Sequence, residues 1–73
     1  MKVVFDHSKL LGKMKEMSIT QGELASMVGI AENTMSAKIN GESYFRTDEI
    51  KRICIVLNIK DSDVGAYFFV PKV

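Results

Sequence analysis

The chain has no tryptophan, one cysteine, one proline and one histidine in 73 residues. A lone cysteine excludes an intrachain disulfide framework. Cys54 sits inside the apolar run Ile53 to Leu57, so it reads as a buried structural thiol. One histidine with no cysteine near it leaves no zinc-ligand spacing, and His7, close to the chain start, reads as a solvated side chain. The apolar run around Cys54 is too short to cross a bilayer. The opening residues MKVVFDHSKL lack the apolar stretch of a secretory signal, so a cytoplasmic location is expected. A charge excess of either sign is missing as well. Ten Lys and Arg against nine Asp and Glu leave +1, which argues against high non-specific affinity for nucleic acid.

What is present is an ordinary globular composition, 47% hydrophobic and 26% charged, sized for one domain over residues 1–73 with one modest core. The expected fold class is all-α, with five helices. A first helix runs from about Ser8, as N-cap, to Met17, with Leu10, Met14 and Met17 on one face and Leu11 beside them. Thr20-Gln21-Gly22-Glu23 is a capping box opening a second helix, whose inner face is Leu24, Ala25 and Val28. Gly29 closes that helix and Ile30 plugs the turn. A third helix runs from Ala31 or Glu32 to Asn40, with Ala31, Met35 and Ile39 as its buried stripe and Gly41 as its stop.

Glu42 to Arg46 reads as a loop. Thr47 then caps a fourth helix with core face Ile50, Ile53, Cys54 and Leu57, stopping at Asn58. A last short helix, about Ser62 to Phe68, buries Val64 and Phe68, and Pro71 holds the residue before it extended. The β-prone ends, Lys2 to Phe5 and Phe69-Val70, can form a small two-stranded pair within or between chains. Met14, Met17, Met27 and Met35 read as core filler. Tyr44 and Phe45 either pack on the domain or face a phosphate, and Tyr67 to Phe69 serve core closure or a dimer seam.

The stretch from Thr20 to Gly41 carries the functional signal. Two short amphipathic helices meet at a glycine turn, with small Ala25 where their backbones approach and Ile30 and Met35 as apolar plugs. The filled positions Thr20, Gln21, Leu24, Ala25, Gly29, Ile30, Thr34, Met35, Ser36, Asn40 and Gly41 resemble the helix-turn-helix of the phage repressor and Cro class, the lambda-repressor-like or XRE family. The similarity extends over about Leu10 to Phe68, and the compact form is similar to small repressor-like proteins of Gram-positive phages.

That resemblance implies a DNA-binding transcriptional regulator that reads an operator through the major groove. It implies that Gln21 touches a phosphate and that Ala31, Glu32, Asn33, Ser36 and Ala37 face base edges. The amino end of the second helix would present free N–H groups to a phosphate. Asn40, Ser43, Tyr44 and Arg46 would meet the DNA backbone, with Lys38 reaching a phosphate. Two departures stand out: Ala37 and Glu32 lie where relatives often carry Arg or Lys, and Gly22 replaces the usual Glu. Small size and weak charge point to a homodimer on adjacent half-sites about one DNA turn apart, repressing by occlusion. The rival is a protein-interaction module on the same fold, such as an antirepressor or assembly factor, favoured by Glu32, Ala37 and the low charge. Neither reading calls for a catalytic residue, a metal, a cofactor, a small-molecule substrate or a membrane.

Overall fold

Among the described residues of this computed structural model, Ser18 and Asn58 are the two non-glycine residues with positive φ, +58° and +55°, and each lies just past the end of a helix. The structure describes residues 3–72. Its helices are α1 (Ser8–Glu16), α2 (Gln21–Val28), α3 (Glu32–Ile39), α4 (Thr47–Leu57) and α5 (Val64–Phe68), the last preceded by a single 3₁₀ turn, Asp61–Asp63. The five-helix all-α expectation holds. α2 packs against α3 and α4, and α1 packs against α5. Between them lies one core: Leu10 and Met14 from α1, Leu24, Ala25 and Val28 from α2, Met35 and Ile39 from α3, Ile53, Cys54 and Leu57 from α4, then Ile59 and Phe68. Burying each larger side chain contributes about 1.5–3 kcal/mol. Burial pushes the Cys54 thiol pKa up, and the nearby Asp61 charge adds to that, as suits a structural rather than a reactive sulfur.

Several outer positions differ from the periodic reading. Met17 falls beyond the end of α1 and is exposed, as are Leu11 and Met27. Ala31 is the N-cap of α3 and also exposed, so the inward stripe of that helix is Met35, Lys38 and Ile39. Ile50 and Val64 are half-buried at the edge of the core. The N-cap of α1 is His7 rather than Ser8, with the Asp6 carboxylate accepting from the Ser8 N–H at 2.8 Å. Thr47 is the first residue inside α4, and the cap position belongs to Arg46, whose N–H donates to the Glu49 carboxylate at 2.8 Å.

His7 is the largest departure. It is buried, 6% exposed, and its Nδ1 lies 3.0 Å from the carbonyl oxygen of Ile39 in the last turn of α3. A carbonyl can only accept, so Nδ1–H donates and satisfies one of the carbonyls a helix end leaves open. The ring also meets Phe45 and Phe68 edge-on, with centroids at 5.3 and 6.4 Å. The N-terminal segment thereby braces the far end of α3.

The two chain ends pair within the chain through one antiparallel bridge, Phe5 with Pro71. Asp6 N–H donates to the Val70 carbonyl and Lys72 N–H to the Val4 carbonyl, both at 2.7 Å. Lys2, the first residue of the expected strand, lies outside the described residues. Phe68 is core closure, whereas Phe69 is half exposed against the Phe5 ring. Tyr67 is half-buried under the Lys9 ammonium, 5.0 Å from its ring centroid.

Candidate functional site

α2, its turn and α3 owe their geometry to local chemistry. Thr20 Oγ1 accepts from the Glu23 N–H at 3.1 Å while Glu23 Oε1 accepts from the Thr20 N–H at 2.9 Å, completing the expected capping box. These bonds hold the Glu23 carboxyl below its ordinary pKa.

 At the other end Gly29 takes φ +76°, and open space surrounds the position a Cβ would occupy, so the backbone conformation is what calls for glycine there. Arg52 of α4 donates its Nε–H to the Val28 carbonyl at 2.9 Å, tying the end of α2 to the scaffold. α3 stops at Gly41, which needs glycine twice over: φ is +86°, and a Cβ would stand 2.6 Å from Val4 Cγ1.

The face so formed brings most of the expected residues together. Ala31, Glu32, Asn33 and Asn40 are exposed, and Ser36 and Ala37 are half-buried beside them. Gln21 is the first residue of α2 and half-buried. Asn33 Oδ1 already accepts from the Thr34 N–H at 2.9 Å. A bidentate adenine contact uses both the amide oxygen and the amide nitrogen, so it would have to give up that local bond.

In the loop after α3, Ser43 is half-buried and Arg46 exposed. The Tyr44 hydroxyl donates to the Val3 carbonyl, and its ring packs on Phe5 at 5.7 Å. Phe45 turns inward against Phe68 at 5.5 Å.

Lys38 is not where the resemblance puts it. Its side chain is 10% exposed and its Nζ lies 2.5 Å from Oε1 of Glu49, whose side chain is also 10% exposed. The ammonium is therefore directed into the domain, away from any phosphate. The reason is spacing: Lys38 follows Met35 by three residues and lies on the same inward stripe. Arg46 is paired as well, its Nε 3.4 Å from the Asp48 carboxylate, although that pair is open to solvent. Sequence reasoning missed Glu49 as a partner. Its only signal was an acidic residue at the third position of α4, which reads equally well as a response to the helix dipole.

Glu49 makes this arrangement pH-dependent. Burial pushes its carboxyl up, but the hydrogen bonds from Lys38 and the Arg46 amide, with the Lys38 charge, outweigh burial and hold it below the ordinary 4.5. A carboxyl whose folded pKa is depressed contributes stability above its unfolded pKa and loses it as pH falls through the folded value. Thermal melts should therefore show a falling midpoint below about pH 4.5. Glu49→Gln should be less stable at neutral pH and should lose less on acidification. An equally steep acid loss in that variant would remove Glu49 from the account.

A surface pocket of about 590 Å³ lies elsewhere, lined by Thr47, Ile50, Cys54, Ile55, Ile59 and Val64 among others and by no residue of α2 or α3. Among the described residues no helix is long and apolar enough to cross a membrane.

Residues 3–71 match the family model described as "Protein of unknown function (DUF739)". No curated protein matches the chain. Among similar solved structures is the solution structure of the modulator of repression (MOR) of the temperate bacteriophage TP901-1 from Lactococcus lactis. It is 38% identical, with a TM-score of 0.76, over 90% of this chain and 89% of that one.

Proposed function

The chain belongs to the DUF739 family, and we propose that it is a phage regulatory protein whose helix-turn-helix face docks on another regulator. The observation that carries this reading is the state of the two cations in α3 and its following loop. Lys38 is buried against Glu49 and Arg46 is paired with Asp48. Phosphate contacts by Lys and Arg supply most non-specific affinity for DNA; this face turns Lys38 inward and leaves Arg46 alone at the surface, in a solvent-open pair with Asp48. What α3 itself presents outward is small, polar and carries Glu32, a surface suited to hydrogen bonding with a protein. The likeness to a phage modulator of repression fits the same reading.

Operator binding by a homodimer is the second reading. It is favoured by the exposure of Asn33 and Asn40 on a helix-turn-helix scaffold. A reporter strain separates the two. With an operator-driven reporter and the repressor from the same phage, the chain should change expression only when that repressor is present. Asn33→Ala combined with Ser36→Ala should remove most of the effect while leaving the melting temperature unchanged. An equal change of expression without the repressor would favour direct operator binding.

A further inference from the structure

Two of the residues that depart from the helix-turn-helix pattern, Gly22 and Glu32, meet in space. A Cβ built on Gly22 would lie 3.2 Å from Cδ, Oε1 and Oε2 of Glu32 alike, closer than ordinary van der Waals contact. The Glu32 carboxylate thus lies over the bare Cα of Gly22, and a Cβ at position 22 would make it give by a few tenths of an ångström. Gly22 has an ordinary helical backbone with no positive φ, so conformational freedom does not explain it. What sets the position apart is the close approach of the Glu32 carboxylate.

That contact lies in the first turn of α2. The capping box takes the amides of Thr20 and Glu23. The amides of Gln21 and Gly22 are the other two at that end for which helix geometry provides no acceptor. Such amides, with the positive end of the helix dipole, are what a helix start offers to a phosphate. Here a side chain of the protein's own, carrying a negative charge, lies against that turn.

We propose that Glu32, seated on Gly22, is the residue by which this face discriminates against nucleic acid: its carboxylate occupies the place a backbone phosphate would take. The inference rests on the docking function proposed above and names what enforces it. An approaching duplex meets a like charge at the one point where α2 would otherwise attract it, and like charges brought together cost binding. A protein surface, which need not present a phosphate there, meets no such barrier.

The test compares the native chain with Glu32→Gln, which keeps the shape and removes the charge. Binding of both to a short random-sequence duplex is measured by fluorescence anisotropy over a range of salt. The expected result is no saturable binding by the native chain and measurable binding by Glu32→Gln at low salt, at least about tenfold tighter and lost as salt rises. Absence of DNA binding by both proteins would overturn the role of Glu32 and leave the docking function standing. Salt-dependent binding by the native chain would overturn the docking function itself. The contact has its own check, because the amide resonance of Gly22 should shift in Glu32→Gln more than those of Leu24 or Val28. An unmoved Gly22 resonance would overturn the seat whatever the DNA result.

Discussion

Lys38→Ala is expected to lower the unfolding free energy by about 3–5 kcal/mol, because it strands the Glu49 carboxylate in a buried position. Both side chains of the pair are only 10% exposed, at 2.5 Å. The Glu49 carboxylate must then rely on the Arg46 amide alone among its bonded partners here. For a domain of this size that loss is a large share of a total of about 5–15 kcal/mol. Replacing both partners together, Lys38→Met with Glu49→Leu, removes the stranded charge and should recover most of the loss. Urea denaturation of the three proteins decides it. A loss below about 1 kcal/mol in Lys38→Ala would class the pair with exposed surface ion pairs. The result also bears on function, since a lysine serving a phosphate would change salt dependence and leave stability nearly untouched.

Phe68→Ala is expected to cost about 3–5 kcal/mol as well, through lost burial and an unfilled cavity. Phe68 is 1% exposed and lies edge-on to both Phe45 and His7. It is thus the point where α5, the loop after α3 and the N-terminal segment share one packing cluster. Its removal should loosen the pairing of the chain ends before the rest of the domain. Hydrogen exchange at the Asp6 and Lys72 amides, bonded to Val70 and Val4, should accelerate more than at core amides of α2. Uniform acceleration at all sites would mean that the chain ends unfold only with the whole domain.

What the sequence revealed is what depends on neighbours a few residues apart. The Thr20–Glu23 capping box, the Gly29 and Gly41 stops and the Asn58 stop are each written within a single turn of chain. They were legible for that reason. Lys38 and Glu49 are eleven residues apart and His7 and Ile39 thirty-two, and nothing local distinguishes a paired lysine or a bonded histidine from a solvated one. Short helices added a second difficulty. In eight or nine residues, positions such as Met17, Met27 and Ala31 satisfy a helical period by count while lying at or near an end, where the period no longer decides which way they face.

The candidate face followed the same division. Which residues turn outward on α3 was readable from the stripe they alternate with, save for Lys38 and the capping Ala31. Whether that face would attract a duplex was not readable, because its charge balance depends on partners in α4. The contact between Gly22 and Glu32 was equally hidden, since each looked like an independent departure from the motif. Packing α2 against α3 makes them one feature.

The most direct measurement is the amide spectrum of α3 while the chain is titrated with duplex DNA at low salt and, separately, with the purified repressor from the same phage. Shifts are expected at Asn33, Ser36 and Asn40 with the repressor and none with the duplex. Shifts of those same amides with duplex DNA alone, fading as salt is raised, would contradict the docking function.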